Sequence, residues 1–165
     1  PTSMGLWPGG AAKEKETWMM DVLQIKKMRK NAVVPVRSTA GSAGLDLAAC
    51  MEEPVCIRPG ERALIPSGIA VGLLENTVGL VFARSGLSVK KGIALANGVG
   101  VIDSDYTGEI LVGLLNTSHE GYTVMPGERI AQLVVMPVLP LPVQEVEELK
   151  ATERGAGGFG STGRM

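Results

Sequence analysis

Ala63-Leu-Ile-Pro-Ser-Gly-Ile-Ala-Val-Gly-Leu-Leu-Glu-Asn-Thr-Val-Gly-Leu-Val-Phe82 holds three short apolar runs, Ala63–Ile65, Ile69–Val71 and Val78–Phe82, separated by turn-forming residues. Runs this short, punctuated this regularly, read as strands. The rhythm begins at Asp21 and continues through Ile110–Leu115 and Ile130–Val135. With 22 Gly and 10 Pro among 165 residues, the natural closures are a sandwich, barrel or jelly roll. A chain of this length suits one domain that buries roughly 70% of its unfolded surface. The one convincing helix is short. Ser85 is placed to cap Leu87–Lys91, and Gly92 to end the helix in a left-handed conformation.

Composition narrows the function classes. A net charge of −1 with scattered Lys and Arg gives no basic field for nucleic acid. No apolar run approaches the roughly 20 residues that span a bilayer, and no hydrophobic signal core is visible, so a cytoplasmic protein without a membrane partner is expected. Cys50 and Cys56 are expected as free thiols. Residues 1–20, with Gly9-Gly10 and the charged run Lys13–Glu16, read as an N-terminal extension. The β domain then spans 21–153, and 154–165 form a glycine-rich arm.

Three stretches carry chemistry. The arm, Arg154-Gly-Ala-Gly-Gly-Phe159-Gly-Ser-Thr162-Gly-Arg-Met165, loses too much entropy on ordering to fold alone. Its amides, hydroxyls and Arg154 suit a polyphosphate, and Phe159 suits a base. Gly155–Gly160 matches a dinucleotide fingerprint in letters, but lacks the strand before it and the helix after it. Ala83-Arg84-Ser85-Gly86 sets a guanidinium, a hydroxyl and an open amide at a helix start, which reads equally as a phosphate seat or an ordinary cap. Asn97-Gly98 signals a hairpin turn whose backbone can imitate the pairing edge of a base. Beyond it, strand alternation would put Asp103 and Asp105 on one face and Tyr106 on the other. Asp103 there can hold a water for attack, or the Asp-Ser-Asp turn can simply be solvated.

These stretches, with Ala43-Gly44-Leu45-Asp46-Leu47 and Gly127-Glu-Arg-Ile-Ala-Gln132-Leu133, follow one another as five motifs. In that order they resemble the trimeric dUTP pyrophosphatase (dUTPase) family over roughly residues 21–165. The resemblance implies an all-β jelly roll or distorted β-barrel with one short helix, assembled as a homotrimer with shared active sites. It implies hydrolysis of dUTP to dUMP and pyrophosphate, by attack of water on the α-phosphorus. By carry-over Asp103 would deprotonate that water, and Tyr106 would pack on the deoxyribose. Asn97 and the backbone at Gly100, Val101 and Ile102 would read uracil, and Phe159 with Gly160 would cover it. Arg84, Ser85, Gly86, Gln132, Arg154, Ser161 and Thr162 would bind phosphates, and Asp46 would help place Mg²⁺ through a coordinated water. A dCTP deaminase relative shares such a fold, and a nucleotide-gated regulatory protein could retain such a pocket.

Overall fold

The structure, a computed structural model, describes residues 22–158. The extension 1–20, together with Phe159, Gly160, Ser161 and Thr162, lies outside the described residues. In chain order the strands are β1 Gln24–Lys27, β2 Leu45–Ala48, β3 Val55–Ile57, β4 Arg62–Pro66, β5 Ile69–Gly72 and β6 Thr77–Ala83. Helix α1, Ser85–Lys91, follows, then β7 Ile93–Leu95, β8 Gly100–Ile102, β9 Leu111–Asn116, β10 Tyr122–Val124 and β11 Arg129–Pro137. Each apolar run singled out in the sequence lies in a strand, with Ile110 just ahead of β9.

Every pairing is antiparallel, and among the described residues no strand pairs with its successor. One sheet runs β2-β11-β6-β8 and another β4-β9-β7, with the pairs β1-β5 and β10-β3 closing the remainder. This all-β arrangement is a jelly roll. Its core is formed by inward residues from nearly every strand, including Leu47, Ile57, Ile65, Ile69, Leu114, Ile130 and Leu133, each at most 1% exposed. Burying one such side chain contributes about 1.5–3 kcal/mol. In β9 the alternation is clean, with Val112, Leu114 and Asn116 inward.

Asn116 is the polar member of that interior. Its amide nitrogen donates to the Ile57 and Glu120 carbonyls at 2.8 and 2.7 Å. Its side-chain oxygen accepts from the Ser118 amide and hydroxyl at 2.9 and 2.7 Å. The buried amide is thereby fully satisfied and ties β9 to β3 and to the following turn. His119 is an exposed residue of that turn, and Cys50 and Cys56 are both free.

Two local expectations change. Arg84, in extended conformation, occupies the N-cap of α1 with no side-chain cap, so Ser85 is the first helical residue and not its cap. Gly92 does end the helix in the left-handed region, at φ 69°, with its amide bonded to the Ser88 carbonyl. The turn at Asn97-Gly98 closes with the Gly98 amide on the Leu95 carbonyl at 3.1 Å, yet β7 pairs with β9 and β8 with β6. The chain there crosses from one sheet to another instead of forming a two-stranded hairpin, because the apolar faces of both flanking strands are buried by non-neighbours.

Candidate active site

The crossing from β7 to β8 creates a cleft of about 270 Å³. Asn97, Gly100, Val101, Ile102, Asp103 and Tyr106 line one side, and residues Glu109–Gly113 at the start of β9 line the other. Strand β8 ends its sheet, so one row of its N–H and C=O groups is left outside the ladder. A free backbone edge of this kind offers alternating donors and acceptors to a planar ligand with a matching edge.

Asp103 and Tyr106 are not strand residues. Strand β8 stops at Ile102, and Asp103–Tyr106 form a turn closed by the Tyr106 amide on the Asp103 carbonyl at 3.1 Å. The expected alternation of Asp103 against Tyr106 is therefore replaced by a turn that brings both to the cleft and leaves Asp105 off its lining. The Tyr106 ring is 46% exposed, and its hydroxyl donates to the Glu109 carbonyl at 2.9 Å. Asp103 is exposed.

A second cluster forms across β2, β11 and the end of β6. Arg84 Nε approaches Asp46 Oδ1 at 3.0 Å, while Arg129 Nη1 approaches Asp46 Oδ2 at 3.0 Å. Arg84 Nη1 also donates to the Arg129 carbonyl at 3.0 Å, and Gln132 Nε2 to the Ala83 carbonyl at 3.1 Å. Gly44 leaves room for this glutamine, since a Cβ there would lie 2.7 Å from Gln132 Oε1. Arg129 was absent from the sequence-derived set for a physical reason: alternation sends residues three apart to opposite faces. A β-bulge between Arg129 and Ala131 resets the parity, so Ile130 and Ala131 are both buried while Arg129 and Gln132 stay on the outer face.

Beside this cluster Ser85 and Gly86 stand exposed at the start of α1, whose first turn carries no acid. None of Asp46, Arg84, Ser85, Gly86 and Gln132 lines the β8 cleft of the same chain. Arg154 is exposed in the turn Thr152–Gly155 and, among the described residues, makes no ion pair with Asp46. Glu109 is the other residue missed in the sequence. Its carboxyl is held below the usual range, chiefly by the Arg29 guanidinium.

No group of three or more His, Cys, Asp or Glu comes together among the described residues. Asp46 is the carboxylate of the arginine cluster, and its oxygens already accept from Arg84, Arg129 and, at 3.3 Å, the Ser38 hydroxyl. A carboxylate offers about four acceptor positions. One position remains, which fits a hydrogen bond to a metal-bound water and leaves little for direct coordination.

Comparison with known proteins agrees with this geometry. The dUTPase family model matches residues 30–163. The chain is 50% identical over 140 residues to the deoxyuridine 5′-triphosphate nucleotidohydrolase of Coxiella burnetii, covering 84% of this chain and 92% of that protein. It is 51% identical over 142 residues to the Neisseria meningitidis serogroup B protein of the same name, covering 86% and 95%. The solved dUTPase of Staphylococcus bacteriophage 80α with dUPNHPP superposes with a TM-score of 0.80 at 32% identity, covering 88% of this chain and 100% of that one. The dUTPase of the Staphylococcus aureus phage phi11 gives 0.73 at 26% identity, covering 80% and 100%. Five motifs, the fold that arranges them and relatives matched over nearly their whole length converge, and the chain belongs to the dUTPase family.

Proposed function

We propose that the protein hydrolyses dUTP to dUMP and pyrophosphate, and that the β8 cleft receives the uracil and deoxyribose. The observation that carries this is the meeting of Asn97, the free edge of β8, Asp103 and Tyr106 in one cleft. The β8 backbone at Gly100, Val101 and Ile102, with Asn97, pairs with the uracil edge. Tyr106 packs on the deoxyribose and excludes a 2′-hydroxyl. Asp103 accepts a proton from a water that attacks the α-phosphorus, whose bond to the bridging oxygen breaks so that pyrophosphate leaves. Arg84, the Ser85 hydroxyl, the Gly86 amide and Gln132 bind the phosphate chain, where alignment and fixed positive charge supply most of the rate.

Mg²⁺, when bound with the substrate, would supply charge neutralisation on the phosphates. Asp46 would accept from one of its coordinated waters. By resemblance to the family, residues 154–165 would close the site, with Arg154, Ser161 and Thr162 on phosphates and Phe159 with Gly160 over the base.

The assembly is a homotrimer whose sites are shared. Two features support this: the separation of the phosphate cluster from the cleft within one chain, and the exposed apolar run Leu139, Leu141, Val143 and Leu149, at 68–100% exposure. No helix among the described residues is long and apolar enough to cross a membrane. Two free thiols suit the reducing cytoplasm, where the reaction would keep uracil out of DNA.

The deciding assay is pyrophosphate release with Mg²⁺ from dUTP beside dCTP, dTTP and UTP, scored for deamination as well. Rapid release from dUTP alone supports the proposal, and deamination of dCTP, or dUTP binding without release, overturns it.

A further inference from the structure

Glu109 joins the cleft to a residue that does not line it. Its carboxylate accepts a bidentate pair from Arg29, with Nε to Oε1 at 2.7 Å and Nη2 to Oε2 at 3.1 Å, and the Gly68 amide at 2.8 Å. Arg29 lies two residues beyond the end of β1, and its own amide bonds the Gly68 carbonyl at 3.3 Å. The peptide that leaves Glu109 is held as well. Its N–H, on Ile110, donates to the Ile69 carbonyl at 2.8 Å, and its C=O accepts the Tyr106 hydroxyl at 2.9 Å. The peptide is planar, so a group that fixes its flanks also fixes the direction of that carbonyl. The ring itself lies against Gly108, where a Cβ would stand 2.6 Å from the Tyr106 oxygen and 2.7 Å from Cζ.

We infer that Arg29 and Glu109 are positioning residues for Tyr106, so that an ion pair between the cleft wall and an arginine outside it sets how strictly the site rejects a ribose. The inference rests on Tyr106 being the sugar-facing group of a dUTP site. The Arg29 side chain is 49% exposed and that of Glu109 17%, and without Arg29 the carboxylate keeps the Gly68 amide, so loss of the guanidinium changes ring placement more than folding. The bidentate geometry is what holds the carboxylate in one orientation.

The test compares kcat/KM for dUTP and for UTP in the wild type, Arg29→Met, Tyr106→Phe, their double variant and Tyr106→Ala, with melting curves alongside. Arg29→Met, which retains the aliphatic stem, is expected to lower the dUTP-to-UTP ratio roughly 3- to 10-fold with little change in melting. Tyr106→Phe, which breaks the same connection at its other end, is expected to lower it similarly, and the double variant to fall no further. A purely structural Arg29 would slow both nucleotides equally. An unchanged ratio in Arg29→Met or in Tyr106→Phe, or additive losses in the double variant, overturns the inference. An unchanged ratio in Tyr106→Ala removes the sugar-gate reading and the inference with it. A relaxed ratio in Tyr106→Ala beside an unchanged one in Arg29→Met removes the inference alone.

Discussion

Asp103 owes its place to a turn. Strand β8 stops one residue before it, and the Asp103–Tyr106 turn brings carboxylate and ring to one cleft. On the proposed role of Asp103 in activating water, Asp103→Asn should reduce pyrophosphate release from dUTP by at least about 100-fold while melting is unchanged, as steady-state kinetics and thermal unfolding would show. A variant retaining more than ~1% of the rate would remove the assignment. Tyr122 supplies a pH signature far from that chemistry. Burial, then the Glu128 carboxylate that accepts its hydroxyl hydrogen bond, push its ionisation from 10.0 up to about 12. The folded state holds this proton more tightly than the unfolded state does. Its contribution is therefore fully present below pH 10 and is lost as pH rises towards 12. Melting temperatures measured across that window should fall less steeply in Tyr122→Phe than in the wild type.

At the scale of elements, the short apolar runs announced β4, β5, β6, β9 and β11, because each is a stretch that must bury one face. Helix α1 was legible through Gly92, whereas its cap was not, since an extended Arg84 precedes it and its side chain pairs with Asp46 instead. The bulge in β11 was illegible too: nothing in Gly127–Leu133 marks the extra residue until β2 pairs with it. Asn116 shows what such pairing demands. Replacing it by Ala takes a donor from the buried Ile57 carbonyl and an acceptor from the Ser118 amide, while the Glu120 carbonyl keeps the Ser118 hydroxyl, and should cost about 2 kcal/mol in chemical denaturation. The arm should behave in the opposite way. Deleting residues 154–165 should cripple turnover and leave the melting temperature within about 2 °C, because such surface segments add little to folding. Joint loss of melting and activity would make the arm structural.

For the whole molecule, the separation of the Asp46–Arg84–Gln132 cluster from the β8 cleft makes a sharp prediction. Asp103→Asn and Arg84→Ala should each be nearly inactive alone. Refolded together they should regain up to about a quarter of wild-type activity if the proposed trimer forms, since random mixing then gives sites that take an intact cleft and an intact Arg84 from different chains. No recovery would mean that each site is built within one chain. The residue order was enough to read an all-β chain and the five motifs, and so the family, and to nominate Asp103, Tyr106, Arg84 and Gln132 as site candidates. These depend on local pattern and on side-chain chemistry, which a linear sequence displays in full. Which residues share a cleft, why Arg129 joins Gln132 on one face and how Arg29 reaches Tyr106 through Glu109 were decided only by the fold. Among the described residues no strand pairs with its successor, so contacts such as Arg29–Glu109 and Arg84–Asp46 join distant parts of the chain, and the register that makes them is set by packing in three dimensions.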